Sequence, residues 1–177
     1  YRQKVKNMTW RGATQPIDRL YGSLPYILPM SAAVIFGAAL FQQVPLLVYP
    51  FFPFIWVFAN ILNFPVIPQI GITGEFVIFM CLFFFVIRSA RINHFIRFNA
   101  MQAILLQIVL FIVQILLRFL GQILTGIPSA TFLFEILANT IFLGMTAACV
   151  YCVFQSAMGR YAEIPAISDA AYSQVPR

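Results

Sequence analysis

Cys149-Val-Tyr-Cys152 has the spacing at which two thiolates can share a metal ion or exchange with a disulfide. The pair lies inside an apolar tract, where neither a metal nor a redox partner has a route to it. His94 is the sole histidine of the chain, so no multi-histidine metal site and no triad using a second histidine can be assembled. The acidic residues, Asp18, Glu75, Glu135, Glu163 and Asp169, are scattered and form no paired carboxylates. No glycine loop for phosphate is present. The chemistry-bearing residues therefore predict a protein that is not an enzyme and uses no metal, cofactor or nucleotide.

Two sets of polar residues remain, and both sit against long apolar runs. Gln107, Phe111, Gln114, Arg118 and Gln122 recur at helical spacing on one face, as do Glu135, Asn139, Phe142, Thr146 and Cys149. A short turn joins the two helices, so Arg118 and Glu135 are expected at similar depth and are predicted to pair. An unpaired charge within a span costs about 2.5 to 3.5 kcal/mol on insertion scales, which makes pairing the natural resolution. The stripe is either a seam joining two helices or the lining of a wet groove through which something polar passes. The second set is the basic island Arg88 to Gln102. It reads as a topology determinant, as a site for anionic lipid head groups, or as a docking point for a partner through Arg91, His94, Arg97 and Asn99. Phe95 and Phe98, interleaved with Arg91 and Arg97, suit a membrane interface, and Asn99 is placed to cap the following helix.

The elements that must position these residues follow from composition. Of 177 residues, 62% are hydrophobic and 9% charged, and the mean hydropathy is +0.89. That leaves too little polar surface for a water-soluble globule. No charged side chain occurs from Leu20 to Gly74. A span needs roughly 20 apolar residues, and open strand edges are not tolerated in lipid, so the fold class is an all-α integral membrane protein. The net charge of +6 flanks membrane segments and argues for orientation and lipid contact, not nucleic acid. Cys81, Cys149 and Cys152 lie in apolar tracts and outline no disulfide framework.

The spacing predicts spans at about 20–41, 70–87, 103–122 and 131–158. A tail at 1–19, a basic loop at 88–102 and a tail at 159–177 stand outside the bilayer. Pro25 and Pro29 should bend the first span, and Ala33 with Gly37 offers it a smooth packing face. Gly126 and Pro128 mark a tight turn before the last span. The stretch 42–69 is apolar and aromatic but carries Pro45, Pro50, Pro53, Pro65 and Pro68. Whether it crosses is decided by charge. With four spans, every lysine and arginine except Arg118 falls on one side; with five the bias vanishes. Four transmembrane helices plus a Pro-rich re-entrant or interfacial segment is therefore expected, with both termini on the positive side.

Several blocks carry a resemblance. They are Met-Thr-Trp-Arg-Gly at Met8 to Gly12, Leu-Pro-Tyr-Ile-Leu-Pro at Leu24 to Pro29, and His-Phe-Ile-Arg-Phe-Asn-Ala-Met-Gln-Ala-Ile-Leu-Leu at His94 to Leu106. Gly-Arg-Tyr-Ala-Glu-Ile-Pro and Ser-Asp-Ala-Ala-Tyr-Ser-Gln-Val-Pro complete them between Gly159 and Pro176. Together the chain resembles the twenty-kilodalton membrane subunit family of the translocon at the inner envelope of chloroplasts, with its cyanobacterial and algal-plastid relatives. The resemblance implies four helices with both ends in the stroma. It implies work alongside other translocon subunits that pass unfolded precursor proteins across the inner envelope, with stromal motor chaperones supplying the drive. Four small helices cannot enclose a polypeptide pore, so the expected role is one wall of a shared pathway. A scaffold subunit and a small-solute or ion channel are the alternatives. The chain departs from the family pattern at 42–69, which is uncharged here. Tyr1 to Asn7 precede the Met-Thr-Trp-Arg-Gly block, which favours a processed, organelle-targeted precursor.

Overall fold

The computed structural model describes residues 14–124 and 128–175. The Met8 to Gly12 block, most of the cationic N-terminal tail and the turn expected at Gly126 lie outside those residues.

Helix α1, Pro16–Gln43, opens with proline in its first turn, where a missing N–H costs nothing. The Gln15 amide donates to Asp18 Oδ2 at 3.1 Å and helps close that end. The bend expected from Pro25 takes the form of a tightened turn at Leu24–Tyr26, and a second tight turn follows at Val34–Gly37. Pro29 lies in the α-helical stretch between them and is buried. α1 is the hub of the bundle and packs against most of the other helices. Ala33 is fully buried, and a Cβ on Gly37 would stand 3.0 Å from the Phe142 ring, so the small-residue face does admit a close neighbour.

At Val44 the chain reverses into α2, Pro45–Leu62. α2 runs back along α1, with the Phe51 ring centroid 5.8 Å from Phe41 and 5.0 Å from Phe142. Its last turn widens to a bond from Asn63 N to Phe58 O, and Leu62 is buried in the core. A small antiparallel hairpin follows, β1 Pro65–Ile67 with β2 Ile72–Thr73, turned by Gly71 at φ 71°. Helix α3, Gly74–Ile87, starts against Ile61 and also ends in a widened turn, from Arg88 N to Phe83 O. Helix α4, His94–Ile123, is capped by Asn93, whose side chain accepts from Phe95 N at 3.1 Å. Helix α5, Pro128–Ala157, ends at Gly159, which adopts φ 72°, while Arg160 N bonds back to Gln155 O. Helix α6, Ile167–Gln174, folds back on the start of α4.

One end of the bundle gathers three chain segments. Thr14 Oγ1 donates to Gly159 O, Asn93 Nδ2 to Asp18 Oδ2 at 3.0 Å, and Arg97 Nε to Ile87 O at 2.8 Å. The start of α1, the link between α3 and α4 and the end of α5 therefore share a side. Impermeant maleimide added to sealed vesicles should label Ser89→Cys and Ser173→Cys from one face and Gln43→Cys from the other. Labelling of Ser89→Cys and Ser173→Cys from opposite faces would contradict this arrangement.

The elements differ from the sequence expectations in three places. Four helices are long and apolar enough to cross a membrane, at Pro16–Gln43, Pro45–Leu62, His94–Ile123 and Ala130–Ala157, whereas Gly74–Ile87 is shorter. So the stretch expected to be re-entrant or interfacial contains a long helix, and the span expected at 70–87 is the short one, about 21 Å at 1.5 Å per residue. Pro45 takes the first turn of α2, and Pro65 and Pro68 fall in the hairpin region, so of the five prolines only Pro50 and Pro53 stand within the helix. α2 descends from the far end of α1 to mid-bundle and α3 completes the return, so the two traverse the bundle once as a broken crossing. The expected basic loop at 88–102 is mostly helix, since α4 begins at His94, and Asn93 caps it instead of Asn99. Asn99 lies a full turn inside, where its side chain faces other helices.

Candidate functional site

Asn99 is the centre of a buried polar knot. Its Oδ1 accepts from Tyr26 Oη at 2.9 Å and from Ser156 Oγ at 2.7 Å, and its Nδ2 donates to Phe95 O at 2.8 Å. Three helices, α1, α4 and α5, are thereby tied at one carboxamide. Asn99 and Ser156 are fully buried and Tyr26 is 1% exposed. One helical turn deeper, Gln102 Nε2 lies 3.6 Å from Cys152 Sγ. The Cys149 and Cys152 thiols are both free and buried in this core.

A second polar contact lies at the break in the α2–α3 crossing. Gln107 Nε2 donates to Glu75 Oε1, joining the first turn of α3 to the middle of α4. Gln107 is about 20 Å along α4 from His94, close to the middle of that 30-residue helix. Glu75 is the one acidic side chain between Asp18 and Glu135 in the sequence, a signal that would have singled it out. Tyr26, Ser156 and Gln102 gave no comparable signal, because isolated polar residues in apolar tracts do not announce their partners.

The predicted stripe is only partly assembled. Gln107 is buried on Glu75, Gln114 is half-buried, and Arg118 is exposed on the far half of α4. On α5, Glu135 and Asn139 are half-buried, and Asn139 Oδ1 has no hydrogen-bond partner among the described residues. No ion pair joins Arg118 to Glu135. The reason is that α4 and α5 are held together chiefly through α1, and what they share is apolar. Leu110, Val113 and Leu117 of α4 pack into the same cluster as Ala138, Ile141 and Phe142 of α5. That leaves Gln107 to meet α3, with Gln114 and Arg118 beyond it on the same face of α4. The effects of Arg118→Gln and Glu135→Gln on thermal unfolding should then add within about 0.5 kcal/mol; a larger coupling in the double variant would restore the pair.

The basic island is likewise divided. Arg91 is exposed, but Arg97 is 7% exposed and donates to the end of α3. His94 Nδ1 lies 3.1 Å from Tyr161 Oη, and Tyr161 packs edge-on against Phe95 at 5.2 Å. The Phe98 ring sits 4.5 Å from Tyr172 of α6. Of the four residues expected to meet a partner, His94, Arg97 and Asn99 are engaged in holding the helices together, and Arg91 alone stands clear of that work.

Fold and site together define a multi-pass helical membrane protein whose polar side chains join helices, with no cluster able to hold a metal among the described residues. The family profile described as "Chloroplast import apparatus Tic20-like" matches residues 10–171. A Tic20 family protein of Synechocystis sp. is 42% identical over 158 residues, covering 89% of this chain and 92% of the relative. Protein TIC 20-v, chloroplastic, of Arabidopsis thaliana is 27% identical over 89% of this chain and 71% of its own length. Protein TIC 20, chloroplastic, of Pisum sativum is 26% identical over 89% of this chain and 58% of its own. The chain belongs to the Tic20 family.

Proposed function

We propose that this protein is a membrane subunit of a plastid protein-import translocon, in the inner envelope with both termini in the stroma, and that it forms one wall of the path taken by unfolded precursor proteins. Family membership over residues 10–171 is the observation that carries the reading. The geometry supports it in one further respect. The face bearing Gln107, Gln114 and Arg118 opens beside a crossing that is broken at bilayer mid-depth, and broken helices are stable in membranes where protein covers them or water reaches them. Other translocon subunits would close the path from the opposite side, since four small helices in one copy are too few to enclose a pore for a polypeptide. Stromal motor chaperones would pull on the emerging chain, and no nucleotide, cofactor or nucleic acid enters this subunit's part of the work.

A photo-crosslinker at Gln114, activated while a precursor is arrested in transit, is expected to capture the precursor. A crosslinker at Asn139 reports on the α5 side. Adducts to neighbouring subunits alone, from both positions, would leave a scaffold role, which the Tyr26–Asn99–Ser156 knot would serve equally well. Selective ion conduction by the purified protein in vesicles, insensitive to added precursor, would favour a channel instead.

A further inference from the structure

The broken crossing leaves a groove. α2 stops at Leu62, the chain leaves through the hairpin, and α3 resumes displaced from the α2 axis. Beneath the end of α2, between α1 and α3, lies a cavity of about 540 Å³ lined among others by Leu24, Leu28, Leu62, Leu82, Val86 and Ile92. Apart from the Tyr21 phenol, its lining side chains are apolar. Val57 and Leu62 close it at bilayer mid-depth, and Ile92 and Tyr21 stand at its other end, beside the α3–α4 link. The link beside that end carries two arginines. Arg88 and Arg91 are exposed on the link, and the Arg88 guanidinium lies 5.8 Å over the Phe83 ring of α3. The nearby carboxylate, Asp18, is occupied by Asn93 Nδ2 and the Gln15 amide.

These features select the occupant. A polar solute finds no side-chain partner on the walls apart from the Tyr21 phenol at the mouth. A spanning helix of a neighbouring protein, about 10 Å across, cannot run through a groove whose floor is at mid-depth. A lipid tail ends at mid-depth and carries its head group to the surface. We propose that the groove holds an acyl chain of one anionic phospholipid, with the phosphate bound between Arg88 and Arg91. The proposal does not depend on the import role, because it rests on the groove and the arginines alone.

Native mass spectrometry of the full chain, extracted from vesicles of phosphatidylcholine doped with phosphatidylglycerol of the same acyl chains, tests it. One retained phosphatidylglycerol per chain is expected. Arg88→Gln and Arg91→Gln should each lower the preference over phosphatidylcholine by about fivefold while leaving a lipid adduct. Ile27→Trp, at an exposed position on the groove wall, should remove the adduct without changing the unfolding temperature. Should that variant misfold, a phosphatidylglycerol with a photoreactive acyl chain should label wild-type peptides from α1 and α3. Equal retention of the two lipids by the wild type, labelling spread over all helices, or a dimer in place of the lipid that Ile27→Trp dissociates would each overturn the proposal.

Discussion

Asn99→Leu is expected to lower the unfolding free energy of the purified protein by about 2–4 kcal/mol, the cost of two interhelical bonds and one bond to Phe95 O within α4 lost at once. The size comes from what is left behind. Tyr26 Oη and Ser156 Oγ both donate to Asn99 Oδ1 and have been shut away from water by the packing of α1, α4 and α5. Removing the acceptor strands two buried hydroxyls. The variant in which Tyr26→Phe and Ser156→Ala accompany Asn99→Leu should therefore be less damaged than Asn99→Leu alone, because no polar group is orphaned. Chemical denaturation in detergent micelles, followed by circular dichroism, measures both. Strict additivity of the three substitutions would show that the knot is not one unit.

Gly74→Ala is expected to cost about 3 kcal/mol, an unusually large effect for one methyl group. A Cβ at this position would stand 1.9 Å from Ile61 O, a backbone atom in the widened last turn of α2. Backbone cannot rotate away as a side chain can, so α2 and α3 must separate and carry Glu75 away from Gln107. Gly121→Ala provides the internal comparison. Its Cβ would meet nothing within 4 Å, and alanine in a helix interior gains up to about 1 kcal/mol over glycine. The same denaturation experiment reads both, and a harmless Gly74→Ala would show that the joint between the half-helices is loose.

These two sites show how the sequence can be read and where reading stops. The polar positions on α4 and α5 were visible from spacing alone, yet the partners were not. Arg118 and Glu135 sit near the joined ends of consecutive helices, and that nearness in sequence suggested an ion pair. The rotation of each helix about its own axis decides such contacts, and α1, wedged against both helices, sets that rotation. Asn99 shows the same limit. As a capping residue it would have been a local feature, and local features are legible; as a node for Tyr26 and Ser156 it depends on residues 73 and 57 positions away.

The sequence by itself determined that the chain is a helical membrane protein, and it set the expectation that the positive charge gathers to one side. Both follow from short-range terms, since lipid requires each segment to satisfy its own backbone bonds and arginines resist transfer wherever they stand. The blocks of residues that mark the family are equally local. Only the tertiary structure decided that α2 and α3 make one broken crossing, that Arg97 and Asn99 turn inward, and that Glu75 meets Gln107. These outcomes rest on how side chains from distant segments interlock, and in an apolar chain many packings share nearly the same burial. A few polar bonds and glycine contacts, at Asn99, Gly37 and Gly74, distinguish among them.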